Sequence, residues 1–561
     1  MRTTTRLALA LVLACASAKP ANVLLIIVDD LRVDLGLAYG RTESSTPNLD
    51  AFTAQPTTLV LNAYVQIPIC CPSRTSLLLG RSPDVTGAFT NEQQMRQLPG
   101  GKTWVSLPQL FKNNGYLAFG GGKVYQLGHD DAASWSAGGY FYANRNQDRE
   151  CLDDLKAHNI LGPNGKPVLQ AGVMCSTEDM GAILDHQLVV AAKAELAKLA
   201  SRSEPFFMAV GFFKPHVPWH VHKMFWSLFR TISDAVYLTS PLPQNQVSYD
   251  PEIVAMDYHI PSWTTPWGPP LDYVTRQAIR TAYGTFCSLA RFARMRTWRQ
   301  HVGDWGGTAA AVAQTDFFVG DLLGELDALA LHDSTLVVVL GDNGYNTGEN
   351  GLWGKDTLFD TATAVPWLMR VPWLQRTPGA RNPMPLRFTG LVETLDVYRT
   401  VAALLNLTSK VDPTVEGRDL STLVKTMIVQ GVASSESAAL LNASFSQVVR
   451  CPVQLDCYGA PVTRFSVKGY SVRTAQWRFA TYLPVDTTLH VADWSAAPVL
   501  EELFVHNAAS ELVVADTAVA YEGENTNVIA SFSDVAAVLR GMVYQRFASM
   551  VPPPPAAAKR P

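Results

Sequence analysis

Residues 70–81 have the sequence Cys-Cys-Pro-Ser-Arg-Thr-Ser-Leu-Leu-Leu-Gly-Arg, a cysteine pair followed by proline and a helix-compatible run. Proline in a first helical turn loses only an N–H group that has no partner within the helix, so Pro72 predicts a helix start here. Cys70 would then lie by a helix N-terminus, where free N–H groups favour an anion. Arg74 and Arg81 add fixed positive charge. The stretch therefore predicts an anion site beside a cysteine.

The same stretch resembles the signature of type I sulfatases, Cys-x-Pro-Ser-Arg followed by Leu-Gly-Arg. In that family the first cysteine is oxidised to Cα-formylglycine, and the hydrated aldehyde attacks the sulfur of a sulfate ester. Cys70 is the matching residue, and Cys71 occupies the variable position. The alternative interpretation is a pair of apolar cysteines in a structural turn.

Three apolar runs, at residues 23–28, 205–211 and 335–340, are each followed by polar residues. Continuous apolar runs of this length are typical of parallel strands that are buried on both faces. Asp29 and Asp30 directly follow the first run. Because open α/β sheets bind ligands at the carboxyl ends of their strands, these carboxylates are candidate ligands, although a strand cap followed by a solvated turn would also explain them.

The residues that follow the first and third runs form a set of oxygen donors without a soft ligand: Asp29, Asp30, Asp342 and Asn343. Oxygen-only sets suit a hard divalent cation, Ca²⁺ or Mg²⁺. The family resemblance implies that these four residues hold one Ca²⁺, which also contacts the residue formed from Cys70. Asn343 matches the arylsulfatase version of the last position, where iduronate sulfatases have histidine.

Three further basic residues match positions of the same family. Lys123 ends a stretch that resembles the second sulfatase signature, except that Ala118 replaces the usual serine or threonine. His216 lies in a Lys-Pro-His-Val-Pro run, and Lys355 lies in a segment that ends in Phe-Asp. The resemblance implies that these three residues and Arg74 neutralise the sulfate and stabilise the developing oxyanions. It leaves open whether His216 or Lys355 protonates the departing alkoxide.

The chain departs from the family at Gln126. The family commonly has a histidine shortly after the lysine that Lys123 matches, whereas this chain has glutamine there and His129 close by. Glutamine can make the same hydrogen bond but cannot titrate near neutral pH. The catalytic consequence of this exchange is an open question at the level of sequence.

Residues 287–309 also have no counterpart in the family pattern. They contain four arginines and a Gly-Asp-Trp-Gly-Gly run. Three interpretations stay open: a surface insertion, a patch for a polyanion, and a retained intron translated in a gene model.

The N-terminus predicts export. Residues 1–18 have the basic start, the short apolar run and the small-residue cleavage site of a signal peptide. That run is too short to span a bilayer, and no later run predicts a membrane span. Export makes disulfides and N-glycosylation plausible, and we expect disulfides between Cys151 and Cys175 and between Cys451 and Cys457, with glycosylation sequons at Asn406 and Asn442. The expected destination is the lysosome or the extracellular space.

The totals bound the organisation of the chain. Its 561 residues exceed one simple core and predict two units. The resemblance implies an α/β, alkaline-phosphatase-like sulfatase fold: a large, mixed but mostly parallel sheet between helices over residues 19–455, and a small C-terminal subdomain with a short antiparallel sheet over 456–548. The proline-rich residues 549–561 predict a disordered tail. The net charge of −4 gives no reason to expect nucleic acid or an anionic membrane as a partner.

The chain is thus identified as a member of the sulfatase family, and it most resembles iduronate-2-sulfatase-like proteins. The resemblance implies hydrolysis of a sulfate ester on a sulfated sugar or glycosaminoglycan, and a formylglycine-generating enzyme as a partner during maturation. Two alternatives stay open. One is a phosphodiesterase or phosphonate hydrolase of the same superfamily. The other is a catalytically silent, secreted glycan-binding protein, which Gln126 would favour.

Overall fold

The computed structural model describes residues 21–33, 35–40, 45–142, 174–216, 219–227, 310–347, 353–374, 385–431, 441–451, 462–486, 488, 490–506, 524 and 526–548. Several predicted features lie outside these residues and stay predictions: the signal peptide 1–18, Cys151, the side chain of Cys175, the segment 287–309, Cys457 and the tail 549–561.

The strands and helices of the described residues are numbered in chain order. The strands are β1 (Asn22–Val28), β2 (Thr58–Tyr64), β3 (Leu117–Gly122), β4 (Tyr140–Tyr142), β5 (Met174–Thr177), β6 (Phe206–Phe212), β7 (Trp219–His222), β8 (Thr335–Gly341), β9 (Asn346–Thr347), β10 (Trp353–Gly354), β11 (Ala364–Arg370), β12 (Leu386–Glu393), β13 (Ala443–Arg450), β14 (Val467–Thr474), β15 (Trp477–Asp486), β16 (Val491–Ala492) and β17 (Leu500–Val505). The α-helices are α1 (Gly36–Tyr39), α2 (Pro47–Thr53), α3 (Cys70–Leu79), α4 (Pro83–Thr86), α5 (Leu107–Asn113), α6 (Leu184–Ala200), α7 (Lys223–Ser227), α8 (Ala310–Ala328), α9 (Asp360–Thr363), α10 (Asp396–Leu404), α11 (Ser421–Gln430) and α12 (Ser533–Phe547).

The main sheet has eight strands in the order β12-β2-β11-β8-β1-β6-β3-β4. Strand β11 runs antiparallel to β2 and β8, whereas the other neighbouring strands are parallel. In the centre, Val23 of β1 lies opposite Phe207 of β6 and Leu336 of β8. The prediction of a large, mixed and mostly parallel sheet is confirmed.

Strand β1 separates two apolar cores. Its odd-numbered residues from Val23 to Ile27 pack in one cluster with α3, α5, α10 and α11. Its even-numbered residues from Leu24 to Val28 pack in a second cluster with α2, α6 and α8. Both faces are covered by helices, which is why an uninterrupted apolar run is needed here. Each such side chain contributes about 1.5–3 kcal/mol on burial.

The direction of the central strands determines where the polar residues meet. Neighbouring strands β8, β1, β6 and β3 are all parallel, so their carboxyl ends lie at one edge of the sheet. The residues that leave these four ends include Asp342, Asp29, His216 and Lys123. The topology therefore collects side chains that are far apart in the sequence.

The C-terminal part forms a separate antiparallel sheet, ordered β13-β14-β15-β16, with β17 also paired to β15. Helix α12 covers it, and Leu539 and Val543 contribute to a shared apolar cluster. The predicted antiparallel sheet with a helix is confirmed. Its first strand begins at Ala443, before the predicted boundary at residue 456, because β13 pairs with β14 over its whole length.

Strand β13 also contacts the segment that follows β2 of the main sheet. Gln447 N donates to the carbonyl of Gln66 at 2.7 Å, and Ser446 Oγ donates to that of Val65 at 2.6 Å. Apolar residues from both parts, including Ile69 and Val449, form one buried cluster. The two sheets are therefore joined by hydrogen bonds and by a common core.

Predicted processing sites have these positions. Asn406 and Asn442 are both exposed, as acceptors of a glycan must be. Cys451 is disulfide-bonded, although its predicted partner Cys457 lies outside the described residues. Cys71 is a buried free thiol. Among the described residues, no helix has the length and the apolar character that crossing a membrane requires.

Candidate active site

Helix α3 places Cys70 at the centre of the site. The helix begins at Cys70, two residues before Pro72, where the sequence predicts its start. Ile69 before it is extended, and Gly80, with φ 63°, caps its C-terminal end. The thiol is fully buried. Its Sγ lies 2.9 Å from Lys355 Nζ, 3.5 Å from Lys123 Nζ and 3.3 Å from Asp29 Oδ1.

The two carboxylates after β1 each hold one of these lysines. Asp29 Oδ2 accepts from Lys123 Nζ at 2.5 Å, and Asp30 Oδ1 accepts from Lys355 Nζ at 2.5 Å. Asn343 Nδ2 also donates to Asp30 Oδ1, at 2.6 Å. All five residues are buried, so the ion pairs are little screened by water.

Arg74 connects the helix to the end of β8. Its Nε lies 2.8 Å from Asp342 Oδ2 and its Nη2 lies 3.1 Å from Asp29 Oδ1. Asp342 Oδ1 accepts from the main-chain N–H of Asp30 at 2.9 Å, and its carbonyl accepts from the Ser73 hydroxyl. These contacts lock the N-terminal turn of α3 against two strand ends.

Glycines at two strand ends bring Lys123 into the site. Gly122 has φ 74°, a conformation that L side chains rarely adopt. A Cβ added to Gly211 would lie 2.0 Å from the carbonyl carbon of Lys123. This close approach allows Lys123 N to donate to the Gly211 carbonyl at 2.7 Å. Arg74 Nη1 donates to the Lys123 carbonyl.

His216 stands at the rim of the site. Its Nε2 lies 3.9 Å from Asp30 Oδ2, and its side chain is 19% exposed. Burial lowers the pKa of His216 to about 4, although Asp30 and Asp29 oppose that shift. The buried carboxylate of Asp185 accepts from the N–H groups of Phe213 and Lys214 at 2.8 and 3.0 Å. Asp185 thereby shapes the loop that carries His216.

Burial and crowded charge shift the pKa values of the acidic groups. Burial raises the pKa of the Cys70 thiol far above its ordinary value, and Asp29 adds to that shift. Burial also raises the pKa of Asp342 to about 7; Arg74 opposes this shift, and Asp29 and Asp30 add to it. Burial alone would raise the pKa of Asp29, but Lys123 and the other cations hold it well below its ordinary range. Crowding of carboxylates is what a bound cation relieves.

The residues present fit a hard divalent cation. Four potential ligand atoms lie within 4.8 Å of one another: one carboxylate oxygen each of Asp29 and Asp30, the Cys70 Sγ and a ring nitrogen of His216. Asn343 Oδ1 is buried and accepts no hydrogen bond from the described residues, so it is available as a ligand. Asp342 joins this group through its contact with Asp30 N. The carboxylate and amide oxygens of this group suit a hard divalent cation such as Ca²⁺ or Mg²⁺, whereas the Cys70 thiol and the His216 imidazole are softer ligands.

The segment after Lys123 lies beside the second cysteine. His129 Nδ1 is 3.8 Å from Cys71 Sγ, and the Cys71 thiol also lies 3.2 Å from the Gln93 carbonyl. Gln126 Oε1 is buried and has no hydrogen-bond partner among the described residues. Thus His129 contacts Cys71, whereas Lys123 and Lys355 contact Cys70.

The predicted residues after the strands and in α3 meet around Cys70. Arg81, which the sequence also predicts to add positive charge there, instead pairs with Asp412 at 3.3 Å and donates to the Thr414 carbonyl at 2.8 Å.

Sequence reasoning gave no role to two supporting residues. Asp185 lies on α6 and acts on a loop 28 residues away. Arg450 lies at the end of β13 and contacts Asp356, 94 residues earlier. No local motif marks either residue, because each acts on the main chain of a distant segment.

Comparisons with known proteins show the family to which the sequence is similar. The model of the family described as Sulfatase matches residues 21–407. Iduronate 2-sulfatase of Homo sapiens is 33% identical over 363 residues, which cover 62% of this chain but only 58% of the human protein. Iduronate 2-sulfatase of Mus musculus is 28% identical over 537 residues, which cover 86% of this chain and 88% of the mouse protein.

Solved structures share the fold. A protein in complex with its substrate D-glucosamine-2-N,6-O-disulfate has a TM-score of 0.59 at 15% identity, with 95% of this chain and 98% of that chain covered. A phosphonate monoester hydrolase from Silicibacter pomeroyi has a TM-score of 0.58 at 18% identity, with 95% and 96% covered. The predicted fold class is confirmed by these similarities.

Proposed function

Because the chain belongs to the sulfatase family, we propose that it is a sulfuric ester hydrolase that removes sulfate from a sulfated sugar or glycosaminoglycan. One observation carries the proposal: two buried ammonium groups, of Lys123 and Lys355, lie within 3.5 Å of Cys70 Sγ. A sulfate bound at residue 70 would meet both. The similarity to iduronate 2-sulfatases supports a sulfated uronic acid as the substrate class.

The proposed activity needs a modified residue 70 and a metal ion. A formylglycine-generating enzyme converts Cys70, and the resulting hydrated aldehyde supplies the nucleophile. Asp29, Asp30, Asp342, Asn343 and residue 70 would hold one Ca²⁺, which would supply positive charge beside the bound sulfate. The site has three carboxylates (Asp29, Asp30 and Asp342) and an equal number of cationic side chains (Arg74, Lys123 and Lys355). A bound ion would therefore give the site the net positive charge that an anionic ester requires.

The chain's own residues would orient the ester and move one proton. Lys123 and Lys355 would bind sulfate oxygens, because their Nζ atoms already point at residue 70. Arg74 would act from behind, by holding Asp29 and Asp342 in place. The departing alkoxide would take its proton from His216 or Lys355, the two groups that the sequence also indicated. Burial of the site excludes water and strengthens each of these contacts.

The first test separates the two cysteines. Cys70→Ala should abolish sulfate-ester turnover, whereas Cys71→Ala should retain most of it, because the Cys71 thiol contacts Gln93 and His129 instead of the lysines. The mass of the tryptic peptide that contains residue 70 should show the aldehyde in place of the thiol. Equal loss of turnover in the two variants would contradict the assignment, provided that both have native circular dichroism spectra.

A second prediction concerns the metal. Asp342→Asn keeps the size of the side chain but removes a charge, so it should lower the bound Ca²⁺ per chain together with turnover. Metal analysis by mass spectrometry measures the content. Glu501→Gln, which removes a carboxylate at the far side of the C-terminal sheet, is the matched control and should change neither quantity. Stoichiometric zinc, or full turnover in metal-free protein, would refute the proposed site.

Two alternatives can be examined in the same preparation. Phosphonate and phosphate diesters test the phosphonate hydrolase alternative, which the shared fold with such an enzyme keeps in view. Binding of a sulfated glycan without turnover, together with an intact Cys70 thiol, would indicate a catalytically silent glycan-binding protein. We place the enzyme in the secretory pathway, with the lysosome or the extracellular space as its destination, in agreement with the predicted signal peptide.

A further inference from the structure

A residue of the C-terminal sheet holds the segment that carries Lys355. Arg450, the last residue of β13, is 1% exposed. Its Nη2 donates to the main-chain carbonyl of Asp356 at 2.7 Å, and its Nη1 lies 3.2 Å from Asp356 Oδ2. Asp356 directly follows Lys355. The Arg450 guanidinium therefore binds both the main chain and the side chain of Asp356.

Asp356 has a backbone conformation that needs such support. Its φ of 64° lies in the left-handed region, which residues with a Cβ seldom occupy. Its N–H donates to the carbonyl of Pro68 at 3.2 Å, two residues before Cys70. The turn at Asp356 is thus fixed by Arg450 on one side and by the approach to Cys70 on the other.

The strand that carries Arg450 is itself anchored beside Cys70. Ser446 and Gln447 of β13 bond to main-chain carbonyls at residues 65 and 66. Val449 packs in the same buried cluster as Ile67 and Ile69. Arg450 is therefore held in a fixed position relative to both residue 70 and the lysine segment.

Lys355 depends on this turn for its direction. Its side chain has four rotatable bonds, and ordering such a chain costs conformational entropy. Its Nζ nevertheless contacts both Asp30 Oδ1 and Cys70 Sγ. A shift of the main chain at Asp356 would move the ammonium group away from both atoms, and small displacements at a reacting centre cost much rate.

We propose that Arg450 is a positioning residue for Lys355. By fixing the turn at Asp356, it holds the ammonium group against residue 70, and it gives the C-terminal sheet a part in catalysis. Arg450 lies beyond the residues that match the family model, 21–407. The inference rests on the proposed function for its turnover readout, and inorganic sulfate provides a readout that does not depend on turnover.

The experiment compares two buried arginines that cross the same interface. Arg450→Met removes the guanidinium group but keeps a side chain of similar apolar length. Arg473→Met is the matched control, since Arg473 on β14 is 3% exposed and pairs at 3.1 Å with Asp360, five residues after Lys355 in the sequence. On a sulfate ester, and at equal content of folded, aldehyde-bearing protein, Arg450→Met should lower kcat by about 10–100-fold. Arg473→Met should change kcat by less than about twofold.

Two further measurements separate positioning from general destabilisation. Inorganic sulfate, measured by calorimetry, should bind the Arg450→Met protein at least about tenfold more weakly but the Arg473→Met protein with unchanged affinity. In a Lys355→Met background, Arg450→Met should cause no further loss of sulfate affinity, because its effect passes through the absent lysine. Independent, additive losses would overturn the proposal.

Other outcomes are equally decisive. Equal losses of kcat and sulfate affinity in the Arg450→Met and Arg473→Met proteins, or no loss in the former, would overturn the role of Arg450. If Arg450→Met does not fold, Arg450→Lys carries the test: smaller losses in the same direction support the proposal, and values equal to wild type refute it. A wild-type protein that binds sulfate without hydrolysing any sulfate ester would contradict the proposed function, while the sulfate measurements would still decide the role of Arg450.

Discussion

Gln126 gives this site a neutral side chain at a position where the family commonly has a titratable one. Its Oε1 is buried without a hydrogen-bond partner in the described part of the chain. His129, the nearby histidine, contacts Cys71 through Nδ1. The site therefore places Lys123 and Lys355 against Cys70, while burial lowers the pKa of its rim histidine, His216, to about 4.

We predict that Gln126→His raises the steady-state kcat on a sulfate ester. A histidine can accept and return a proton at neutral pH, and such general-base contributions amount to about 10²–10⁴-fold in established cases. The gain should appear in kcat with little change in KM, because sulfate binding depends on Lys123 and Lys355. Gln126→Asn, which shortens the side chain without adding a base, is the control. A kcat for Gln126→His no higher than that of wild type would reject position 126 as the place of a missing base.

Some residues of the site can be predicted from sequence patterns and others cannot, depending on whether a local pattern marks them. Asp29, Asp342 and His216 follow apolar runs, so strand periodicity and sheet topology together predict that they meet. Cys70 is marked by its own motif. The contact between Arg450 and Asp356 spans 94 residues and leaves no local pattern. Sequence therefore predicts the groups around residue 70 well, whereas it misses the residues that hold their backbones.

At the scale of elements, helix α3 has to end at Gly80. This glycine has φ 63°, and a Cβ there would lie 2.6 Å from Val415 Cγ1 and 3.0 Å from Tyr398 Cβ. The helix terminates with the Gly80 N–H bonded to the Ser76 carbonyl. Both the backbone angle and the packing of the next layer exclude a side chain, so the glycine fixes the C-terminal end of the helix that begins at Cys70.

We predict that Gly80→Ala lowers the free energy of unfolding by about 2–4 kcal/mol, as the sum of left-handed strain and overpacking. Gly87→Ala is a matched control: Gly87 has φ 76°, but its nearest contact would be Leu98 Cδ2 at 4.0 Å. It should therefore cost only the backbone strain, about 1–2 kcal/mol. Urea unfolding followed by tryptophan fluorescence measures both. Equal costs would show that the layer around Tyr398 yields without penalty.

Strand β13 shows why an element can be missed. Seven of its eight residues are buried, yet Ser444, Ser446, Gln447 and Arg450 are polar, and the apolar alternation that begins at Ala443 breaks at Gln447. Those polar side chains point inward because some of them bond to the catalytic part of the chain, as Ser446 and Arg450 do. Strand β1, in contrast, has an unbroken apolar run and was predicted almost residue for residue. Burial against a polar partner removes the pattern on which strand prediction depends.

At the scale of the whole molecule, a buried ionic network joins the two sheets. Glu524 Oε1 accepts from Arg478 Nε and lies 3.0 Å from His506 Nε2, while its Oε2 accepts from Asp360 N at 3.0 Å. Arg473 pairs with Asp360. Two guanidinium groups already neutralise the two carboxylates, which argues against a second cation site in this cluster.

We predict that Glu524→Gln lowers the free energy of unfolding at pH 7 by about 3–5 kcal/mol, because it leaves a buried guanidinium without its counter-charge. Burial opposes ionisation of Glu524, but Arg478 and His506 outweigh it and lower the pKa to about 2. The ionised group therefore stabilises the fold fully above the pKa of the unfolded chain, about 4.5. That contribution is lost as the pH falls toward 2.

The difference between wild type and Glu524→Gln should accordingly be constant above about pH 5 and shrink between about pH 4.5 and 2. Urea unfolding at a series of pH values measures it. Glu501→Gln, which breaks a partly exposed pair with Arg540, is the control and should cost at most about 1 kcal/mol. A difference for Glu524→Gln that is independent of pH down to 2 would mean that the charge of Glu524 contributes nothing.

The complete burial of Cys70 indicates at which stage of folding its proposed oxidation would occur. A converting enzyme has to reach the sulfur and grip the residues around it, yet all ten residues of α3 are buried in the folded protein. In the proposed function, the conversion would therefore take place before the chain folds. Once the sheet has closed, the side chain at position 70 is permanent. A preparation can then contain two populations with one sequence and one fold, which differ in a single side chain and never interconvert.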